Sequence, residues 1–292
     1  MANFYLSAFA DEAGDSVIEQ INALIENGIG FIEPRFVNGK PILTLTEDEL
    51  KDLETELSKN GIKVGSLGSP IGKYDIKADF ETHLADFDKA ITACKILKTD
   101  KMRMFSFFVK QDELTEYKDD VIKRLNVMCE IAEKNGIILC HENESEIYGQ
   151  MPREVEILLD EVKGLHGIFD AANYRMNDGD VIAGIQATMK NFAYIHIKDA
   201  DYKTQTILPA GEGEGRIAEI LDLVGKEIEG DVMLTVEPHL KLFSAYSGID
   251  NHELKGKYNF NTKREAFDFA VASLKKLLAK IGYKEVCGKW IR

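Results

Sequence analysis

The chain has 292 residues with 45% hydrophobic and 29% charged side chains, a composition that is ordinary for a globular protein and excludes a disordered one. Its 36 lysines and arginines against 50 aspartates and glutamates leave a net charge of −14, and we find no basic run. We therefore expect no nucleic acid or anionic membrane as a partner, and the absence of an apolar stretch of about 18 residues predicts no membrane span.

Short apolar runs that are rich in β-formers recur along the whole chain. Their starts lie roughly 30 residues apart, the length of one strand, one helix and their loops. Each run turns polar at its C-terminal end, and several are almost continuously apolar, as parallel strands buried on both faces are. The predicted strands lie near residues 3–9, 30–37, 62–67, 102–109, 136–142, 166–170, 192–198 and 231–237.

Amphipathic segments of helical period lie between these strands. Ser16 and Glu19 form a capping-box pair at the start of the first helix, and Gly28 ends it. Pro152 stands in the first turn of a later helix that closes at Gly164. The last helix has apolar residues at steps of three and four, which predict a core-facing stripe: Phe267, Val271, Leu274, Leu278 and Ile281.

Eight strand–helix units predict an α/β protein with a single (β/α)8 TIM barrel over residues 1–292, with its chemistry at the C-terminal ends of the strands. A doubly wound open sheet is the alternative. That fold usually has a glycine-rich first turn, and residues 9–15 contain no G-x-G-x-x-G. No low-complexity segment or Pro/Ser-rich linker divides the chain, so we expect one domain.

Two long loops follow predicted strands and should overhang the mouth of the barrel. Residues 202–216 contain Gly-Glu-Gly-Glu-Gly, which lacks the Lys-Ser/Thr of a phosphate-binding loop, and we interpret them as a flexible lid. Residues 240–262 form a polar stretch with four aromatic side chains: Phe243, Tyr246, Tyr258 and Phe260. This stretch is either a lid or an interface, so whether the chain forms a homo-oligomer remains an open question.

Four consecutive strands end in a residue that can bind a hard divalent cation. These residues are Glu142, Asp170, His196 and Glu237, on the fifth to eighth strands. A single acid at a strand end is usually a solvated loop residue or a helix cap. In a barrel, however, these ends converge around one axis, so the pattern favours a shared metal site. Three carboxylates and one imidazole suit Mn²⁺, Mg²⁺ or Co²⁺, and Zn²⁺ is also suitable.

These residues lie in motifs that resemble the sugar phosphate isomerase/epimerase family of the xylose-isomerase-like TIM barrels. The motifs are Ile32-Glu-Pro-Arg, His141-Glu-Asn-Glu, Asp170-Ala-Ala-Asn-Tyr, His196-Ile-Lys-Asp-Ala, Pro209-Ala-Gly-Glu-Gly and Glu237-Pro-His. The resemblance implies one divalent metal ion per chain, Mn²⁺ before the others, held by Glu142, Asp170, His196 and Glu237. It also implies that Glu142 and Glu237 act on opposite faces of a bound sugar.

The sequence departs from the ketose 3-epimerases of this group at three substrate-contacting positions. Asn173 stands where they have histidine, Tyr148 where they have glutamate and Tyr202 where they have arginine. The metal ligands are unaffected, but an identical substrate is not expected. We retain Asn173 as a substrate-binding candidate.

Three more residues are candidates for substrate binding, each with a structural alternative. Lys198 shares a strand face with His196 and can reach a substrate oxygen or phosphate; it can equally pair with a carboxylate at the strand end. Arg35 can bind a substrate carboxylate or phosphate, or form a rim salt bridge. His239 is either a substrate contact or a polar turn residue. His141 should point to the opposite face of its strand from Glu142 and pack between sheet and helix.

The predicted function is a metal-dependent isomerase or epimerase of a small sugar or sugar phosphate. It would proceed through an enediolate, with Glu142 and Glu237 as acid and base. The alternatives are an inosose-type dehydratase and a non-enzymatic sugar-binding barrel. A nuclease that resembles endonuclease IV is disfavoured by the six histidines and the charge of −14.

The cysteines and the first residues predict the cellular compartment. Cys94, Cys129, Cys140 and Cys287 form no C-x-x-C pair and lie among apolar or helical residues. We expect reduced, buried thiols in a cytoplasmic protein. The first residues lack the basic start of a signal peptide, so we expect none.

Overall fold

The computed structural model describes residues 1–241 and 258–292. Eight parallel strands follow the chain around a barrel, as the sequence predicts. They are β1 (Ala2–Ala8), β2 (Phe31–Ile32), β3 (Lys63–Val64), β4 (Lys101–Met104), β5 (Ile138–Glu142), β6 (His166–Asp170), β7 (Phe192–Ile197) and β8 (Gly230–Val236).

The barrel closes through ladders of very different length. Strands β4 to β8 pair in order, and β8 pairs with β1 along seven residues, from Ala2–Gly230 to Ala8–Val236. Strands β2 and β3 pair only with each other. Single contacts join this pair to the rest: the Glu33 amide donates to the Ala8 carbonyl at 3.0 Å, and Leu67 forms a parallel bridge with Met102.

Helices surround the strands and bury their apolar stripes against them. They are α1 (Val17–Glu26), α2 (Glu47–Lys59), α3 (Phe80–Ile96), α4 (Leu114–Lys134), α5 (Pro152–Glu161), α6 (Ala171–Met176), α7 (Val181–Thr188), α8 (Ile217–Glu227) and α9 (Lys263–Lys280). The capping box predicted at Ser16 and Glu19 is confirmed: both of its hydrogen bonds are present. Pro152 begins α5, also as predicted.

The second, third and fourth strands are shorter than the sequence predicts. Pro34 has no amide hydrogen for a ladder, and the next residues, Phe36–Val37, form a hairpin with Lys40–Pro41 instead. After Met104, the amide of Phe107 donates to the carbonyl of Gly72 in the loop that follows β3. The apolar residues predicted as strand ends therefore enter loops that rise above the barrel.

The Gly-Glu-Gly-Glu-Gly loop, which the sequence predicts as a flexible lid, is tethered through the backbone amides of its glycines. The buried carboxylate of Asp199 accepts hydrogen bonds from the amides of Gly211 and Gly213 at 3.0 Å and of Gly215 at 2.8 Å. A Cβ atom at Gly213 would lie 2.4 Å from an Asp199 oxygen, so a glycine is required for the backbone to wrap the carboxylate this closely. The other predicted lid, residues 240–262, lies mostly outside the described residues.

A hairpin at the C-terminus, which the sequence analysis did not predict, adds to the sheet beside β1. Its strands are Lys284–Val286 and Lys289–Ile291, and Trp290 pairs with Phe4. Cys287 at its tip is exposed, contrary to the expectation for all four thiols; Cys94, Cys129 and Cys140 are buried. Within the described part of the chain, no helix has the length and apolar character needed to cross a membrane.

Candidate metal centre

The ends of four adjacent strands bring four ligand-type side chains together. Glu142 and Asp170 end β5 and β6, His196 lies in β7, and Glu237 follows β8 directly. All four are buried, and one ligand atom from each lies within 4.8 Å of the others. The structure therefore juxtaposes the residues that the sequence analysis selected as metal ligands.

The atoms that face one another have few partners except themselves and one lysine. His196 Nδ1 lies 2.8 Å from Glu142 Oε1 and 3.8 Å from Glu237 Oε2. Asp170 Oδ2 is buried without a hydrogen bond and lies 3.3 Å from Lys198 Nζ. An unsatisfied buried carboxylate oxygen is costly, and a cation among these atoms would satisfy it.

The opposite atom of each of these side chains is held by a partner. These contacts are Glu142 Oε2 to Arg103 at 3.2 Å, Glu237 Oε1 to Arg35 at 3.1 Å, Asp170 Oδ1 to the Asn173 amide at 2.9 Å, and His196 Nε2 to Glu33 Oε2 at 3.3 Å. One side of every ligand is thus fixed, and the other side faces the common centre. Metal ligands in proteins are typically oriented in this way.

Buried carboxylates outnumber buried cations around this centre. The carboxylates, each at most 4% exposed, are those of Asp11, Glu12, Glu33, Glu142, Asp170 and Glu237. The cations are Arg35, Arg103 and Lys198. With His196 neutral, as metal binding requires, six negative charges against three positive ones leave a buried charge of −3 among these residues. A divalent ion would reduce it to −1, which lowers the cost of keeping these groups out of water.

The pKa values of these side chains show that the buried charges act strongly on one another. Burial lowers the pKa of His196, but the carboxylates of Glu142 and Glu33 outweigh it and raise that pKa to about 10. Burial raises the pKa of Glu142, yet His196 and Arg103 bring it down to about 2. Burial raises the pKa of Asp170 to about 6, against the opposing charge of Lys198. The centre attracts cations, whether protons or metal.

Lys198 forms ion pairs with carboxylates, which was its structural alternative, and it also lines the cavity above the centre. Its ammonium group lies 3.3 Å from both Asp170 Oδ2 and Glu237 Oε2. These partners are the two ligands on the neighbouring strands, whereas Asp199, next to it in the chain, binds the glycine loop. Lys198 therefore provides positive charge at the edge of the centre and remains beside any ligand in the cavity.

Arg35 and His239 meet at Glu237 from another side. Among the described residues, Arg35 pairs with Asp11, Glu12 and Glu237 at 3.1–3.2 Å, and at 8% exposure these ion pairs are buried rather than at the rim. His239 Nε2 lies 3.1 Å from Glu237 Oε1 and 3.4 Å from Glu12 Oε1. Both residues line the cavity.

Asn173 also lines the cavity, next to the first ligand. Its side-chain amide donates to the carbonyl of Asn143 at 2.9 Å and lies 3.5 Å from Glu142 Oε1. By contrast, His141 is turned away, as the sequence predicts. It is buried against Ser106 with an Nε2–Oγ distance of 2.9 Å, and burial lowers its pKa to about 4.

A cavity of about 360 Å³ opens above the ligands. Glu237 is the one of the four ligand-type residues that lines it, at a polar floor shared with Lys198, Arg35, Arg103 and Asn173, while much of its wall is apolar. The apolar wall residues are Phe36, Pro41, Ile42, Pro70, Phe105, Phe108, Met176 and Ile207. Most of them come from the loops that replace the predicted ends of the second, third and fourth strands. A small ligand can thus place polar groups at the floor and a carbon face against the wall.

The sequence analysis missed several residues of this site. Arg103 lies between Met102 and Met104 in β4, and a cation flanked by apolar residues in a strand was the available signal. Glu33 appears in the sequence analysis only as part of the motif Ile32-Glu-Pro-Arg. Lys73 and Glu144 form an ion pair at 3.1 Å, and both line the cavity; Lys73 lies in no motif, and Glu144 is the last residue of His141-Glu-Asn-Glu.

The comparisons with known proteins agree with this architecture. A family model described as "Xylose isomerase-like TIM barrel" matches residues 21–239. A comparison with curated proteins gives no sequence match.

Three of the similar solved structures illustrate the range of proteins with this fold. The probable 3-DHS dehydratase AsbF from Bacillus anthracis has a TM-score of 0.71 and 16% identity, covering 94% of this chain and 99% of its own. IolI protein with a bound zinc atom has a TM-score of 0.71 and 16% identity, covering 95% of this chain and 99% of its own. D-psicose 3-epimerase with D-tagatose, from Clostridium cellulolyticum H10, has a TM-score of 0.69 and 12% identity, covering 95% of this chain and 99% of its own.

Proposed function

Because this chain belongs to the xylose isomerase-like TIM barrel family, we propose that it is an isomerase or epimerase of a small sugar or sugar phosphate and depends on one divalent metal ion. The observation that carries the proposal is the convergence of Glu142, Asp170, His196 and Glu237 at one buried point beneath a cavity. Similar structures that include sugar epimerases support the reaction class.

The donor set fits a divalent ion. Glu142 Oε1, Asp170 Oδ2, His196 Nδ1 and Glu237 Oε2 would hold it, since these atoms face the centre and the opposite atoms are engaged. Three oxygens and one nitrogen suit Mn²⁺ first, with Mg²⁺, Co²⁺ and Zn²⁺ as further candidates. When bound, the ion polarises a substrate carbonyl and stabilises the negative charge that develops on its oxygen.

One ion per chain fits better than two. Glu12, Glu237 and His239 form a second group of ligand-type side chains. The guanidinium of Arg35 already contacts two of them, Glu12 at 3.2 Å and Glu237 at 3.1 Å. An arginine stays protonated at any ordinary pH, so it supplies the positive charge that a second metal would otherwise bring.

Glu142 and Glu237 are the proposed acid and base. They approach the centre from the fifth and the eighth strand, so they can reach opposite faces of a substrate carbon. One carboxylate would remove the proton next to the carbonyl, and the other would return a proton from the far side. Asp170 and His196 lie on the strands between them and are the better candidates for pure ligands.

The four cavity residues selected from the sequence are the proposed substrate contacts. Lys198 and Arg35 would place positive charge beside the substrate oxygens, and His239 and Asn173 would donate or accept hydrogen bonds to hydroxyl groups. Each contacts Glu237, Glu142 or Asp170 as well, so substrate binding and ligand orientation involve the same side chains.

Turnover of a panel of ketoses, aldoses, inososes and their phosphates with Mn²⁺ in deuterium oxide tests the proposal. We expect a product that carries solvent deuterium at the carbon that exchanges its proton. Glu142→Gln and Glu237→Gln should each lower kcat by roughly 10²–10⁴, the scale for losing a general base. Metal occupancy is measured in both variants, and Glu227→Gln on the surface is the matched control.

The outcomes separate this reaction from its rivals. Product without solvent label, with the substrate hydrogen retained, would indicate a hydride shift and contradict the paired-glutamate assignment. Tight sugar binding without turnover would favour a non-enzymatic sugar-binding barrel. Cleavage of abasic-site DNA without turnover on the panel would favour a nuclease, although the charge of −14 is unsuited to DNA.

A dehydratase is the second candidate function. Similarity to a probable dehydratase and the departures from the ketose 3-epimerase pattern at Asn173, Tyr148 and Tyr202 favour it. The same base would form the enediolate, which would then expel a β-hydroxyl as water. A product lighter than the substrate by one water would establish this reaction. The single domain, the cytoplasmic location and a homo-oligomer stay predictions.

A further inference from the structure

Glu33 is a carboxylate enclosed inside the barrel beneath the candidate metal centre. It follows the two-residue strand β2 and is 0% exposed. Its amide closes the junction with β1, which fixes the backbone from which the side chain projects. A buried carboxylate that is shielded from water needs hydrogen-bond donors, and side chains on the opposite side of the barrel donate to Glu33.

Within the described residues, the side chains that contact the Glu33 carboxylate at hydrogen-bond distance come from strands β7 and β8. The Tyr194 hydroxyl donates to Oε1 at 2.8 Å, and the Thr235 hydroxyl donates to Oε2 at 3.0 Å. His196 Nε2 lies 3.3 Å from the same Oε2. The Tyr194 oxygen in turn lies 3.0 Å from the Ser66 hydroxyl. Two hydroxyl groups thus anchor the carboxylate, and its remaining contact is the imidazole.

The two nitrogens of His196 face different surroundings. Nε2 faces Glu33, which can only accept a hydrogen bond when ionised. Nδ1 faces the oxygens of Glu142 and Glu237 at the centre. A neutral imidazole has one N–H and one lone pair. If the N–H points to Glu33, the lone pair of Nδ1 points at the site where the ion would bind.

We propose that Glu33 is a positioning residue that holds His196 in the tautomer with hydrogen on Nε2 and thereby directs Nδ1 at the metal. This inference rests on the proposed metal dependence. Carboxylate partners of this kind orient metal-bound histidines, and their loss costs roughly 10–100-fold in metal affinity. Glu33 lies far from Glu237 and His196 in sequence, in a motif that contains none of the four ligand candidates.

Glu33→Gln tests the inference because it keeps the size of the side chain and removes its charge. A glutamine amide can donate to Nε2, which favours the wrong tautomer. We expect the dissociation constant for Zn²⁺, measured by competition with a chromogenic chelator, to rise roughly 10–100-fold. Thr235→Val is the matched control, since it removes a different donor from the same Glu33 oxygen, and its affinity should change much less.

A second measurement keeps the inference testable if Glu33→Gln does not fold. In wild-type protein labelled with ¹⁵N-histidine and loaded with ¹¹³Cd²⁺, we expect metal coupling at Nδ1 of His196 and a protonated Nε2. Coupling at Nε2, or an unchanged affinity in Glu33→Gln, would overturn the role of Glu33. Wild-type protein that binds no divalent ion would instead contradict the proposed function, so the two failures can be distinguished.

Discussion

Strands β5 to β8 and strands β1 to β4 contribute different chemistry to the same cavity. The second half of the barrel supplies the four ligand-type residues at the ends of its strands. The first half supplies two buried arginines, Arg35 and Arg103, and most of the apolar wall. Each arginine binds the outward oxygen of one of the proposed acid–base glutamates, Glu237 and Glu142 respectively.

Phe9, which directly follows β1, contacts side chains from both halves of the barrel. The guanidinium carbons of Arg35 and Arg103 lie 4.4 and 4.9 Å from the centre of its ring. The imidazole of His196 meets the same ring edge-on at 5.1 Å. A buried aromatic ring attracts cations over its face, so Phe9 fixes both arginines beside the ligands. The comparison indicates that one half provides the four ligand-type side chains, and that the arginines of the other half orient two of them, Glu237 and Glu142, and neutralise part of their charge.

The largest effect should follow a change in the ligand half. Asp170→Asn keeps the cap of α6 at the Asn173 amide but removes a charged ligand. We expect metal affinity to fall by at least about 100-fold, beyond the usual cost of losing a partner of a ligand. Elemental analysis and chelator competition measure it. The fold should persist by circular dichroism, because barrel packing stabilises a core of this size. Asp178→Asn, on the surface, is the control.

A change in the arginine half should reduce catalysis while the metal remains bound. Arg103→Met leaves Glu142 Oε2 without its charged donor, a contact worth about 1.5–3 kcal/mol. We expect kcat to fall by roughly 10–100-fold, with metal affinity changed by much less than in Asp170→Asn. Steady-state kinetics at saturating metal provides the measurement.

The matched control for that prediction is Arg124→Met. Arg124 also lies over two aromatic rings, those of Phe80 and Phe107, but it contacts none of the metal-centre side chains described above. Its loss should leave kcat within a few-fold of wild type. If Arg103→Met lost metal as completely as Asp170→Asn, the division of roles between the two halves would be refuted.

The tethered glycine loop tests the folding stability of the second half of the barrel separately from metal binding. Asp199 accepts amide hydrogen bonds from Ala200, Gly211, Gly213 and Gly215. Asp199→Asn keeps only one acceptor oxygen, so we expect unfolding in urea to become easier by about 2 kcal/mol. The metal affinity of Asp199→Asn should change by less than about threefold. A larger loss would show that the tethered loop supports the metal centre.

The smallest effect should come from the apolar wall of the first half. Phe108→Leu removes part of one wall side chain, and the lost contact is worth about 1 kcal/mol. We expect KM for the best substrate to rise by roughly fivefold, with kcat and metal content unchanged. An unchanged KM for every substrate in the panel would show that the wall does not contact the substrate.

Local patterns explain why much of the molecule is predictable from its sequence. The alternation of apolar runs and helical stripes predicts the barrel, and capping residues such as Ser16 and Pro152 mark where helices begin. The residue at the end of each parallel strand faces one common mouth, so Glu142 and His196 could be selected as candidate ligands before any contact was known. All of these inferences depend on residues that are close in the chain.

Only the tertiary structure determined which side chains meet across the barrel. Arg103 lies 39 residues from Glu142, and Glu33 lies 163 residues from His196. Whether two such residues touch depends on the angle at which each strand enters the ring and on the side-chain conformation there, and neither leaves a periodic signal. For the same reason a lysine or arginine that seems free in the sequence, such as Arg35, proves to be buried among three carboxylates from two other segments.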